Sequence, residues 1–122
     1  MSKATDPKSA CAGLLGLCRR AGHMTVGFDA VAALVQAGKA SAVLLAADVS
    51  PKTEKELRFF AGKLPTGAVR MLPLPLSKDE MGHALGSRKP VGAAATDDDG
   101  FAASLAKHAV LHSEDEKEEP AI

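Results

Sequence analysis

Ala42-Val43-Leu44-Leu45-Ala46-Ala47-Asp48-Val49-Ser50-Pro51 is the stretch that decides the fold. Its first six residues form an unbroken apolar run, which fits a strand buried on both faces in a parallel or mixed central sheet. Ser50-Pro51 then starts a helix, with Ser as cap and Pro at the first helical position. That helix is expected to reach about Lys63, with Leu57, Phe59 and Phe60 on or near its inner side. A short strand, Ala68 to Leu72, follows and is ended by Pro73 and Pro75. Ser77-Lys78-Asp79-Glu80 reads as a capping box, in which the Ser hydroxyl and the Glu carboxylate each satisfy backbone N–H groups. The helix it opens ends at Gly86, Val91 to Thr96 is a final strand, and Asp97-Asp98-Asp99 caps a helix from Phe101 to about Leu111.

Upstream of the apolar run, Ser9 is expected to cap a first helix. Its stripe of Leu14, Leu15, Leu17 and Cys18 ends near Gly22. His23 to Val26 is a short strand candidate. Gly27 opens a second helix, in which Val31, Leu34 and Val35 recur at helical spacing, and Gly38 stops it. Helices and strands therefore alternate. This order predicts an α/β protein, a three-layer α/β/α sandwich with a four-stranded mixed central sheet. Residues 9–112 form the expected domain, residues 1–8 a flexible arm or linker, and residues 113–122 a disordered acidic tail.

The chain has 122 residues, one domain's worth, with 46% hydrophobic and 25% charged residues, close to an ordinary soluble globular protein. Aromatic content is 3%, with no Trp and no Tyr, which argues against a protein that stacks successive bases on a row of aromatic platforms. The formal net charge is zero, but the tail holds Glu114, Asp115, Glu116, Glu118 and Glu119 against Lys117 alone. Residues 1–113 keep 14 basic and 10 acidic residues, a balance of +4 that permits nucleic-acid binding without demanding it. Cys11 and Cys18 share one helix two turns apart, about 10 Å, beyond the reach of a disulfide. They read as buried thiols in a reducing compartment. With no signal peptide and no apolar run of membrane-spanning length, the expected location is cytoplasmic, away from any membrane.

Enzyme signatures mostly fail. There is no Gly-Lys-Ser/Thr phosphate loop, no Gly-x-Ser-x-Gly elbow, and no glycine fingerprint after the long strand, where the turn is Ala47-Asp48-Val49-Ser50-Pro51. His108 and His112 share a helix face but lack a third ligand, so exposed helix-end histidines are the better reading than a metal pair. Asp97, Asp98 and Asp99 lack calcium-loop spacing and are better read as helix capping. Cys18 beside Arg19 and Arg20 is either an activated thiolate or, more often for such a residue, a core thiol. His83 is either a general base or a polar contact. Gly82 and Gly86 have the spacing of close backbone packing. No cofactor and no metal is expected, and no enzyme; an enzyme would need His83 and Asp48 to converge.

Two glycine-anchored segments carry the positive reading. In the first, a strand ending at Val26 feeds a helix at Gly27, exposing N–H groups that suit an anion such as a phosphate. Arg19, Arg20 and Lys39 lie in neighbouring elements. In the second, Gly86-Ser87-Arg88-Lys89-Pro90-Val91 is a tight loop with two cations and a stiffening proline. If both project from one end of the sandwich, they form one RNA-sized surface.

The same residues carry a family resemblance. Leu14-Leu15-Gly16-Leu17-Cys18-Arg19-Arg20-Ala21-Gly22 with Val26-Gly27 resembles the opening of bacterial YlxQ-type proteins. Gly38-Lys39-Ala40, Val43 to Asp48, Gly82-His83-Ala84-Leu85-Gly86 and Asp99-Gly100-Phe101-Ala102 extend the likeness over about residues 10–108. Those proteins belong to the kink-turn RNA-binding ribosomal protein superfamily. The resemblance implies an α/β/α sandwich and binding of a structured RNA, kink-turn-like or ribosomal, sometimes alongside a second nucleic-acid-binding domain. It also implies site residues. Gly27, Phe28, Asp29 and Ala30 match the family's base-reading motif at its glycine, while Asp29 stands for an amide or cation and Ala30 lacks an acceptor. Arg19, Arg20, Lys39, Arg88 and Lys89 are the implied phosphate contacts, and Ser87, Pro90 and Val91 the implied loop surface for an extruded base. The alternative is a protein-interaction module of the same fold without specific RNA binding, which Asp29, Ala30, Ala33 and the acidic tail favour.

Overall fold

A computed structural model describes residues 7–110. The acidic tail, His112 and the first six residues of the expected arm lie outside the described residues. The elements are α1 (Pro7–Arg20), β1 (Met24–Val26), α2 (Phe28–Gln36), β2 (Ala42–Leu45), α3 (Pro51–Gly62), β3 (Arg70–Pro73), α4 (Lys78–Ala84), β4 (Ala93–Thr96) and α5 (Asp99–Ala106). The sheet order is β1-β4-β2-β3. β4 is antiparallel to both neighbours, and β2 and β3 are parallel. The sheet is therefore mixed, and helices cover both faces, as the alternation of elements predicted.

Side-chain alternation along β2 divides the core in two. Ala42, Leu44 and Ala46 join Cys11, Leu15, Met81 and Leu105 beneath α1, α4 and α5. Val43 and Leu45 join Val31, Val35 and Leu57 beneath α2 and α3. All four β2 residues are buried, as the apolar run required. β4, between β1 and β2, is Ala-Ala-Ala-Thr and also wholly buried. Its one polar side chain is satisfied: the Thr96 hydroxyl lies 3.4 Å from Cys18 Sγ and accepts the Asp98 N–H at 3.1 Å. Burial pushes the Cys11 thiol up to about 11. It also raises Cys18, outweighing the Thr96 hydrogen bond, so Cys18 is a core thiol and not an activated thiolate.

Several boundaries differ from the sequence expectation for physical reasons. α1 takes in Pro7 and Lys8, expected in the arm, and Ser9 lies within the helix; Pro is tolerated in a first turn. Lys8 Nζ pairs with Glu80 at 3.1 Å. β3 starts at Arg70, not Ala68, and takes in Pro73 as its last residue instead of stopping before it. β3 is an edge strand, where a missing N–H is harmless, and the Pro73 carbonyl accepts the Val110 N–H at 2.7 Å. That bond turns the chain after Ala106, so α5 stops short of Leu111. β4 begins at Ala93 because the Val91 N–H is donated to the Lys78 carbonyl instead of to a strand. Phe59 is not on the inner side of α3: it is 60% exposed. Two residues beyond buried Leu57 is about 200° around a helix, whereas Phe60, at three, returns to the packed face. Among the described residues no helix is long and apolar enough to cross a membrane.

Leu44 is fully buried at the sheet centre. Leu44→Ala is expected to cost about 2–5 kcal/mol of stability, and Ser77→Ala, which removes the α4 cap, about 1 kcal/mol. Urea unfolding midpoints at constant slope measure both.

Candidate functional site

Gly27 and the loop after α4 meet. They line one cleft of about 390 Å³, together with Val26, Phe28, Val49, Ser50, Thr53, Lys78 and Gly92. The meeting follows from strand pairing: Val26 sits opposite Ala94, and Leu45 opposite Ala93, so β1 and β2 end where β4 begins. The helices leaving β1 and β2 and the loop entering β4 therefore share one end of the sheet.

Gly27 has φ 101° and ψ 148°, a conformation that L side chains rarely adopt. Its N–H donates to the Ala93 carbonyl at 3.1 Å, and its carbonyl accepts the Val31 N–H at 2.9 Å. It caps α2 without a side-chain hydrogen bond. The next three helices do have one: Ser50 accepts from the Thr53 N–H, Ser77 from Glu80, and Asp98 from Phe101. The first turn of α2 thus opens on the cleft without a side chain to satisfy its donors.

The loop is held from both sides. Ser87 N–H donates to the Gly82 carbonyl at 2.8 Å and Val91 N–H to the Lys78 carbonyl at 3.0 Å. The Ser87 hydroxyl folds over the turn, accepting the Lys89 N–H at 3.1 Å and donating to the Lys89 carbonyl at 2.9 Å. The loop then lies flat against α4, where a Cβ on Gly82 would come 2.5 Å from the Lys89 carbonyl oxygen. Gly86 supplies the turn itself, at φ 71°. Asp48 ties the third part of the rim, accepting the Lys78 N–H at 2.7 Å.

The other candidate residues are distributed as follows. Lys89 and Pro90 are exposed on the cleft wall, and Arg88 is exposed beside them. Val91 lines the cleft but is 4% exposed and belongs to the core. Asp29 and Ala30 are exposed on the first turn of α2. Arg19 donates from Nη1 to the Leu85 carbonyl at 3.1 Å, joining the end of α1 to the end of α4, and neither Arg19 nor Arg20 lines the cleft. Lys39 follows α2, near the β2 end that pairs with Thr96; about 13 Å of helix separates it from Gly27. Lys78, Thr53 and the cap residue Ser50 also line the cleft; the sequence marks them only through helix capping at Ser50 and Ser77. Asp48 and His83 do not converge: Asp48 holds the Lys78 N–H, and His83 lies in a separate groove between α1 and α4. Of the acidic run, Asp98 caps α5, Asp97 pairs with His23 at 2.9 Å and Asp99 accepts from Ser41 at 2.6 Å.

A model of the ribosomal protein L7Ae/L30e/S12e/Gadd45 family matches residues 9–106. The chain belongs to that family. A Bacillus halodurans C protein of unknown function superposes with a TM-score of 0.70 at 28% identity, over 80% of this chain and 94% of that one. A Giardia lamblia 15.5 kD RNA binding protein superposes with a TM-score of 0.64 at 20% identity, over 85% of this chain and 86% of that one; at that identity the likeness is one of fold. No curated protein gives a significant match.

The close approach at Gly82 makes a specific prediction. Gly82→Ala sets a methyl against a backbone carbonyl, so the loop must move; a loss of about 1–3 kcal/mol is expected. Amide shifts should be concentrated in Ser87–Val91. Gly13→Ala, with nothing within 4 Å of the new Cβ, should be neutral or stabilising. Equal effects of the two substitutions in urea unfolding would refute the packing argument.

Proposed function

We propose that the protein is a non-enzymatic binder of structured RNA and that the cleft between Gly27 and the Ser87–Val91 loop is its binding surface. The observation that carries this reading is the convergence of the two segments on one cleft. Its chemistry suits a bent phosphate backbone. The α2 start offers uncapped N–H groups to an anion. Lys78 and Lys89 line the wall, with Arg88 exposed beside them. Pro90 gives an exposed apolar surface for an extruded base. Arg19, bound to the Leu85 carbonyl, Arg20 beside it and Lys39 all lie outside the cleft, so contacts from them would need RNA that extends beyond it. Membership of the ribosomal protein family supports RNA as the ligand, and the Giardia protein shows the same fold in an RNA binding protein.

The finer reading is a YlxQ-type protein acting in the cytoplasm on kink-turn or ribosomal RNA during translation. Here Asp29 and Ala30 decide the expected behaviour. Both are exposed where the resemblance puts base contacts. Each good bidentate contact is worth about 1–3 kcal/mol of discrimination. Losing two leaves phosphate contacts dominant, so binding is expected to be strongly salt-dependent and only weakly selective.

Fluorescence anisotropy tests this with a kink-turn RNA, the same RNA with its tandem G·A pairs made Watson–Crick, and a plain duplex, at two salt concentrations. The expected result is binding that weakens steeply with salt. The kink-turn should be preferred by less than about tenfold, toward the low end of what even one such contact supplies. Arg88→Ala and Lys89→Ala should each weaken all three complexes alike and lower the salt slope by about one. Absence of binding at low salt would overturn the RNA reading and favour a protein-interaction module.

A further inference from the structure

The four phenylalanines are not spread evenly. Phe28, Phe59 and Phe60 gather on one outer face with Lys52, Lys55 and Glu56, around a shallow depression of about 560 Å³. Phe59 is 60% exposed, one of only two large hydrophobic residues so exposed among the described residues. Its ring packs edge-on against Phe60 at 5.9 Å, and the Lys63 ammonium lies 4.7 Å from its centroid. Phe28 also lines the cleft of Gly27, so the two surfaces are continuous. Phe59 lies nine residues beyond Ser50 at the cleft rim, about 14 Å along α3.

We propose that this face of α3 is a second nucleotide site, in which an unpaired base of a single-stranded tail stacks on Phe59 while Lys52, Lys55 and Lys63 hold its phosphates. It rests on the RNA reading of the cleft and extends it along the ligand. A lone exposed phenylalanine would need no explanation. This one is fixed by a neighbouring ring, covered on one face by the Lys63 ammonium, and bordered across the depression by Lys52 and Lys55 against Glu56, which leaves its other face for a base. That charge complements a phosphate chain and is the wrong composition for a protein-docking core, from which lysine is depleted. Base stacking on an aromatic ring tolerates any sequence, because every base has a π face. Three rings in one patch make one platform, not a row of them, which agrees with the low aromatic content.

The test compares one RNA stem, blunt or carrying a short unpaired tail, with wild-type protein, Phe59→Ala and Phe59→Trp. Because Phe59 is exposed, its removal should leave the fold intact, which circular dichroism checks. The tail is expected to tighten wild-type binding by at least about fivefold. Phe59→Ala should abolish that gain and leave the blunt stem unchanged, and Phe59→Trp should keep it. No gain from the tail, or equal losses on both RNAs in Phe59→Ala, overturns the proposal. The blunt stem reports the cleft separately. If it fails to bind, a free oligouridine titrated into labelled protein decides the matter: Phe59-dependent shifts along α3 sustain the platform without the cleft, and their absence rejects both.

Discussion

The position of β4 governs this molecule. It runs antiparallel to β1 on one side and to β2 on the other, so its first residues sit beside the last residues of both. Gly27 N–H bonds to Ala93, and Ala46 N–H to Gly92, at that junction. Three connections are thereby forced to one end of the sheet: the turn into α2, the turn into α3 and the loop after α4. The cleft is a consequence of strand order before it is a consequence of any side chain. β4 can occupy the centre because its residues are small. Three alanines, all buried, let the α1/α4/α5 layer and α2 pack closely on its two faces.

Most of the fold was legible because the decisive signals were local. The Ala42–Ala47 run, Ser50-Pro51 and the Ser77–Glu80 capping box each specify an element through nearby chemistry; both helix starts are found as read, and the strand takes the first four residues of the run and leaves Ala47 exposed. What was not legible depended on partners distant in sequence. The end of α5 is set by Pro73, the start of β4 by Lys78, and the retention of Pro73 in β3 by its edge position. Phe59 is a different failure. Its helical phase relative to Leu57 turns it outward, against the inward placement that its apolarity suggests.

The two segments of the candidate site were legible, but the residues that line the cleft with them were not. Gly27 and the Ser87–Val91 loop were visible as glycine turns beside cations. That both border one cleft requires the sheet order, which no local pattern supplies. Lys39 illustrates the converse: close to α2 in sequence, it is carried to the other end of the sheet by the helix itself. Val91, read both as the start of the last strand and, through the resemblance, as loop surface, is neither: its backbone is tied to Lys78 and its side chain completes the core.

Natural sequences obey local rules where only stability is at stake, and departures from them cluster where the surface serves something else. Two features that stability does not require lie here on adjoining ground. α2 begins without the side-chain cap that α3, α4 and α5 each possess, although a Ser or Asp is usually worth more than a Gly at that position only by a few tenths of a kcal/mol. The loss to stability is small, and the conformation at φ 101° admits no larger residue without strain. Phe59, in turn, exposes a ring that the α2/α3 core does not need, since Leu57 and Phe60 already fill its inner face. Phe28 touches both places. A bare helix start and an exposed aromatic ring have no common structural cause, but on the proposed reading they have a common chemical use: one would attract phosphate, the other a base, and a single nucleic-acid strand presents both.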